Sequence, residues 1–330
     1  MNDNDMLQWK RRTVLQAGLA ALALPASQLG YAQEKYPARA VRIIVPLPPG
    51  GVADASVRQL TSTMQAGFGQ PLTIDNKPGG AFAVAMSALS TVPADGYTLM
   101  HVNASFLPAQ AIFKRFDVFR QLVPIAGLGE TDETISIGNN PNFKTLPELI
   151  AYGRANPGKL SYVTPGYGTL EHLAAFNFCK LNGIEATNIP LKGGPDAAKS
   201  LIQGEGDFGI VPLPLVQQFA IAGRLHALVV LNDRRNAAMP DLPTAQEMGV
   251  KAPRCTIWGG LCAPAGTPPA VLAYLEKAVL EAARNPELQK NLMITGIVPA
   301  AQNAAEFGKL MHDDNQWIAK AVVEADLKAN

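Results

Sequence analysis

The chain has 330 residues, 48% of them hydrophobic and 17% charged, with a formal net charge of +1. Such a chain can bury one large core or two of ordinary size, which excludes an intrinsically disordered protein. A charge so close to neutral leaves no electrostatic footprint for nucleic acid.

Residues 1–32 read as an export signal, cleaved near Ala32. Lys10, Arg11 and Arg12 form a basic start, and Val14 to Leu24 is apolar but too short to span a bilayer. Pro25 and Ser27 break that run, and Gly30-Tyr31-Ala32 supplies small residues for cleavage. The order R-R-T-V-L-Q is similar to a twin-arginine signal. An uncleaved membrane anchor or a cytosolic amphipathic start are the other readings. Removing residues 1–32 takes three of the 28 basic and two of the 27 acidic side chains, leaving 25 of each. No later apolar run reaches transmembrane length.

The first strand is expected over Val41, Ile43, Ile44 and Val45, a short β-rich run of the kind buried in a parallel sheet. Pro46-Leu47-Pro48-Pro49-Gly50-Gly51 then stops the ladder, and a helix opens at about Val52. A helix starting straight after such a loop offers unpaired N–H groups and the positive end of its dipole, a site for an anion. Gln70 to Asp75 is a second strand, Asn76 to Gly80 a second glycine loop, Ala81 to Thr91 a helix and Tyr97 to Val102 a strand. Strand, loop and helix in repetition imply a parallel sheet with helices on its faces.

Thr145 and Glu148 form a capping box, and Asn156-Pro157-Gly158 ends that helix. Leu160 to Thr164 is a strand, followed by Pro165-Gly166-Tyr167-Gly168-Thr169 and a helix with Leu170, Ala174, Phe178 and Leu181 on its apolar face. Asn182-Gly183 closes it. This strand, Pro-Gly loop and helix start repeats the first device, so two lobes aiming two helix starts into one cleft are expected. Further strands are expected at Thr187 to Pro190, Asp207 to Val211, Leu225 to Leu231 and Thr256 to Cys262. Pro195 lies in the first turn of one helix, Gly223 caps the next, and Thr244 to Glu247 is another capping box. Thr267-Pro268-Pro269 begins a long helix lined by Leu272, Leu275 and Val279. Asn303 to Glu306 caps a final helix carrying Phe307, Leu310, Met311 and Ile318.

Little points to chemistry. His101, His172, His226 and His312 are scattered, with no His or Cys pair at metal-ligand spacing, so no metal and no cofactor is expected. There is no G-x-S-x-G elbow, no Walker loop and no complete G-x-G-x-x-G. Cys179, Cys255 and Cys262 are read as buried apolar thiols, a pairing of two in an exported protein being the alternative. Asp54 either stabilises a helix dipole or contacts a ligand. His172 caps the second helix, packs beneath it or acts chemically. Thr169 is the N-cap of that helix and can also offer its hydroxyl to a ligand. Tyr167, flanked by glycines with little core to enter, is expected at the cleft.

With the export signal, the segments Y-P-A-R-A-V-R-I-I-V-P-L-P-P-G-G-V-A-D, I-D-N-K-P-G-G and P-A-D-G-Y-T-L-M resemble the extracytoplasmic solute receptors of the tripartite tricarboxylate transporter family, the Bug proteins. K-L-S-Y-V-T-P-G-Y-G-T-L-E-H-L, I-P-L-K-G-G, A-G-R-L-H-A-L-V-V, M-P-D-L-P-T-A-Q-E-M-G and A-P-A-G-T-P-P extend the resemblance over the whole mature chain. It implies an α/β fold: a two-lobed periplasmic binding protein of type II (Venus-flytrap), with a parallel-dominated mixed sheet in each lobe. Lobe 1 would be residues 33–134 plus 255–330 and lobe 2 residues 135–254, with hinge crossings near 133–137 and 251–256. It also implies ligand contacts from Leu47, Pro48, Gly50, Gly51, Val52, Ala53 and Asp54 in one lobe. Thr164, Gly166, Tyr167, Gly168 and Thr169 would face them, with Asn103, Ala104, Pro190, Leu191, Val211 and Pro212 closing the sides.

Leu47 stands where the family usually has an aromatic, Val52 where a third glycine is common, Leu191 for a frequent tyrosine, and Val211-Pro212 where polar or acidic residues often occur. Each change makes the cleft more apolar, and an ammonium group without a carboxylate partner is costly to bury. The expected ligand is therefore a carboxylate without an ammonium group, with an apolar or aromatic body. The expected role is a periplasmic, monomeric solute receptor that closes by hinge motion and serves membrane transporter subunits. A periplasmic sensor docking on a signalling protein and an open-cleft hydrolase or transferase are the alternatives; no nucleophile–base pair supports the last.

Overall fold

The computed structural model describes residues 36–329, so the expected export signal lies outside the described residues. All ten strands and eleven helices of the described residues belong to one compact unit that begins at Arg39. In chain order they begin with β1 (Val41–Val45), α1 (Val52–Phe68), β2 (Leu72–Asn76), α2 (Ala83–Ser90), β3 (Thr98–Asn103), α3 (Phe106–Phe113), α4 (Val118–Gln121) and β4 (Leu122–Ile137). Next come α5 (Leu146–Ala155), β5 (Leu160–Thr164), α6 (Leu170–Asn182), β6 (Ala186–Pro190), α7 (Gly194–Gln203), β7 (Phe208–Pro212), α8 (Leu213–Ile221) and β8 (His226–Val230). The chain ends with β9 (Thr256–Pro264), α9 (Pro269–Ala283), α10 (Pro286–Ile294), β10 (Ile297–Gln302) and α11 (Ala304–Glu324).

The strands run in the order β2-β1-β3-β9-β4-β7-β5-β6, with β8 and β10 added to β4. The outer strands are parallel in each half: β1 with β2 and β3, and β5 with β6 and β7. The inner pairs, all involving β4 or β9, are antiparallel. Val41, Ile43, Ile44 and Val45 of β1 are wholly buried, as a strand covered on both faces requires. Each such side chain stabilises the fold by about 1.5–3 kcal/mol.

Strand β4 joins the halves. Its residues Leu122 to Asp132 pair with β9, and from Glu133 to Ile137 it pairs with β7. The change of partner falls between Asp132 and Glu133. The backbone is held there from both sides: Glu133 N–H donates to Cys255 O (3.3 Å), and Leu231 N–H donates to Glu133 O (2.8 Å). Two register shifts, at Pro124/Ala126 and Gly127/Gly129, bend the strand before it crosses. A Cβ on Gly129 would lie 2.6 Å from Val298 O, so only glycine lets β10 pack there.

The local start and stop signals hold to within a residue or two. The box at Thr145 and Glu148 opens α5, and Asn303 with Glu306 opens α11. Thr244 and Glu247 do bond reciprocally, at 3.1 and 2.8 Å, but around a turn with no helix behind it. Leu181, expected on the apolar face of its helix, is 48% exposed, and Leu173 takes its place in the core. The three cysteines are buried and unpaired. Among the described residues, no helix is long and apolar enough to cross a membrane.

Candidate functional site

One cleft, about 1070 Å³ of empty space with its mouth included, is lined from both halves. The pleat explains which side chains reach it. Gly129, Thr131 and Glu133 share one face of β4, and His101 and Asn103 share one face of β3; all five line the cleft. Leu47, Pro48, Gly51, Val52 and Ala53 come from the first loop, and Pro165, Thr169, Gly194, Pro195 and Pro212 from the opposite side.

The first loop is built by Asp54. Its carboxylate accepts from Gly50 N–H, Arg58 Nε and Asn76 Nδ2, each at 3.0 Å, and Asn76 Nδ2 also donates to Leu47 O (3.0 Å). Gly50 reaches this position with φ +77°, a region L side chains rarely adopt. Burial would raise the Asp54 carboxyl, but the Arg58, Gly50 and Asn76 hydrogen bonds outweigh it and hold it below the ordinary 3.8. Asp54 does not line the cleft; it holds the loop from behind. Gly51, the N-cap of α1, supplies no side-chain cap, so the first N–H groups of α1 are left for a ligand.

The second helix start differs from expectation. Thr169 Oγ1 accepts from His172 N–H (3.2 Å), Leu170 N–H donates to Ser105 Oγ (3.1 Å), and Gly168 N–H donates to His172 Nδ1 (3.3 Å). The protein's own groups fill the start of α6. The open start on that side belongs to α7, whose N-cap Gly193 has φ +114° and no side-chain cap. A Cβ on Gly193 would lie 2.9 Å from Pro48 Cγ, so the two open starts meet where Pro48 and Gly193 pack together.

The remaining residues expected at the ligand lie nearby but do not line the cleft. Tyr167 has a core to enter after all. Its ring lies 4.5 Å from that of His172 and 6.1 Å from that of Phe113, and its hydroxyl donates to Lys328 O (2.9 Å). Thr164 is buried and donates to Asn188 Oδ1 (3.1 Å). Ala104 is buried with its N–H on Trp258 O, and Gly166 O accepts from the Thr169 hydroxyl. Leu191 and Val211 belong to an apolar cluster with Val163 and Leu201, and Pro190 ends the edge strand β6.

Two carboxyls that sequence reasoning does not single out line the cleft. Glu171, in the first turn of α6, accepts from Ser105 Oγ (2.9 Å). Burial pushes it up, partly offset by that bond and by its own backbone and Thr169. Glu133 is 0% exposed and neither carboxyl oxygen has a hydrogen-bond partner. Burial first, then Glu171 and Asp132, push it well above the ordinary carboxyl value. His101, also lining the cleft, has an unpartnered Nδ1 and is held down to about 4 by burial. Among the described residues, no lysine or arginine lines the cleft. The ground for leaving out an ammonium group is a cleft without carboxylates, and that ground does not hold. The available signal is E-T-D-E-T-I-S-I, with acids running into a β-branched stretch at an expected hinge. Among the described residues, no group of His, Cys, Asp and Glu is arranged to hold a metal.

The family model described as tripartite tricarboxylate transporter family receptor matches residues 56–326. Protein BugT of Bordetella pertussis is 30% identical over 319 residues, 94% of each chain. A UPF0065 protein of the same organism is 34% identical over 288 residues, 85% of this chain and 88% of the other. Among solved structures, the periplasmic binding protein BugD superposes with a TM-score of 0.83 at 26% identity, over 89% of this chain and 100% of its own. Rpa4515 of R. palustris with adipate gives 0.84 at 25% identity, over 89% and 99%. MatC of Rhodopseudomonas palustris with bound malate gives 0.81 at 25%, over 87% and 100%. With its two sheets joined by β4 and its open helix starts facing one cleft, this chain belongs to the tripartite tricarboxylate transporter receptor family.

Proposed function

We propose that this protein is a periplasmic receptor that captures a small organic carboxylate by closing two lobes around it and delivers it to membrane transporter subunits. The observation that carries the reading is the pair of uncapped helix starts, at Gly51 and Gly193, at one cleft that no described lysine or arginine lines. Backbone N–H groups and helix dipoles then hold the anion. Leu47, Phe82 and Ile257 supply an apolar wall for its body.

The lobes are residues 33–134 with 255–330, and 135–254, joined where β4 and the approach to β9 cross. An open form takes the acid on the α1 start, and the α7 start completes its coordination as Pro48 meets Gly193. Adipate on Rpa4515 and malate on MatC support a carboxylate as the ligand class. Export by residues 1–32 places the receptor outside the cytoplasm, and the ligand is released unaltered.

Native mass spectrometry of protein purified from its source, followed by calorimetry with the mass-matched compound, tests this. A retained carboxylic acid that rebinds without turnover is expected. A retained molecule lacking any acid group, or turnover at enzyme-like rates, overturns it.

A further inference from the structure

The cleft has an end that the carboxylate reading leaves unused. Where β4 changes partner, Glu133 faces the cleft with both carboxyl oxygens buried and without a donor. Its neighbour Asp132, on the other face of the strand, is satisfied, accepting from Asn232 Nδ2 and Asn236 Nδ2 at 2.7 Å each. Glu171 approaches from α6 with one oxygen on Ser105 Oγ. His101 on β3 adds a second buried and unpartnered polar atom to the same cavity.

We propose that Glu133, backed by Glu171, seats a protonated nitrogen of the ligand, so that the receptor's acid is an amino carboxylate with its carboxylate at the helix starts and its nitrogen at the strand crossing. This rests on the carboxylate reading and adds the other end of the molecule. An ammonium group brings up to three donors to the two Glu133 oxygens, which have none. A second ligand carboxylate would instead find one donor at most from the neutral Glu133 carboxyl, with no described lysine or arginine lining the cleft to offset its charge.

The protonation chemistry gives the proposal a sign. Without a ligand, burial together with Glu171 and Asp132 favours the neutral Glu133 carboxyl; Cys255, the other titratable group coupled to it, is itself pushed up by burial and stays a thiol. An arriving ammonium favours the ionised carboxylate, so Glu133 releases a proton to solvent. A diacid does the reverse: neutral Glu133 is retained, or made, to donate to the second carboxyl, and no proton is released.

The test is calorimetry of full-length mature protein with matched triplets of short and medium chain length: a monocarboxylate, its α,ω-diacid and its amino acid. The amino position is varied between α and ω. Each titration is run in two buffers of different ionisation enthalpy to count protons. An amino carboxylate is expected to bind more tightly than its matched acid and diacid, with proton release. Glu133→Gln is expected to weaken it by about 30-fold or more while leaving the matched acid within about threefold. Glu171→Gln is expected to have a smaller effect in the same direction, and thermal melts check that both variants fold. A diacid or plain acid binding best, proton uptake, or an amino acid indifferent to Glu133→Gln overturns the proposal while the carboxylate reading stands. No binding by any member of the panel overturns both.

Discussion

Asp54 and Glu133 are both buried carboxyl groups beside the same cleft, and they sit in opposite circumstances. Asp54 is 3% exposed and accepts from a backbone N–H, a guanidinium and an amide. Glu133 accepts from nothing. The first is held below its ordinary value and the second is pushed well above it, although desolvation opposes charge in both. Burial therefore does not distinguish a structural acid from a ligand-facing one; the number of donors already committed to it does. Asp54 belongs to the fold, and Glu133 is a standing cost that the fold carries at its crossing strand.

The strongest way to break that contrast is Asp54→Ala. It leaves the Gly50 N–H and Asn76 amide without their shared acceptor and returns the exposed Arg58 head to water, and an expected loss of about 2–3 kcal/mol follows in urea unfolding. The stability Asp54 lends is present above its ordinary value of 3.8 and is lost as the pH falls through its lower folded value, so the variant also lacks that acid limb. A loss below about 1 kcal/mol would mean that the β1–α1 loop keeps its shape without Asp54.

How much of this can be read from the chain divides along the same line. The Pro-Gly loops, the caps at Thr145, Thr169 and Asn303 and the helix stop at Gly183 are local signals, and the structure repeats them. Asp54 is visible as a first-turn acid, but its role depends on Asn76, 22 residues on. The start of α6 reads as open in the sequence because the group that fills it, Ser105, lies 65 residues before Leu170. Strand β4 is the least legible element. A proline, two glycines and three acids break its alternation, and the register of its partner strands is needed to see that Glu133 faces inward. Non-local partners decide both cases, and no pattern along the chain carries them.

The acid side of the contrast is sharpened by two histidines. His172 Nδ1 accepts from Gly168 N–H, which places the ring proton on Nε2 and keeps the ring neutral. Burial lowers His172 and His101 to about 4 each. A depressed histidine contributes stability that is fully present above its ordinary 6.5 and is lost as the pH falls toward about 4. Between pH 7 and pH 4.5 each should therefore remove about 2–3 kcal/mol. His172→Gln should flatten that part of the unfolding profile by this amount while His101 keeps its share. An unchanged acid limb would show that His172 reaches solvent on protonation without unfolding.

Glu133 should respond in the opposite sense to Asp54. Glu133→Met replaces an unpartnered buried acid with an apolar chain of similar length, and a gain of about 1–2 kcal/mol is expected in the same urea experiment. The contribution of the neutral carboxyl is fully present below 4.5 and is lost as the pH rises toward its displaced value, so wild type should weaken with rising pH more than the variant. A destabilised variant at every pH would place Glu133 with Asp54, as a group the fold requires.

Thr169 tests the smallest difference, because it belongs to both classes. Its hydroxyl accepts from His172 N–H and donates to Gly166 O, and the residue also lines the cleft. As a cap alone, Thr169→Ala costs about 1 kcal/mol, and Thr169→Ser restores it. Ligand affinity should then fall only by the few-fold that a loosened α6 start imposes. A far larger loss of affinity at that same ~1 kcal/mol of stability would mean that the hydroxyl, with one acceptor lone pair to spare, holds the ligand directly. The contrast between committed and uncommitted polar groups would then run through a single side chain, with its donor held by the fold and its second lone pair open to the cleft.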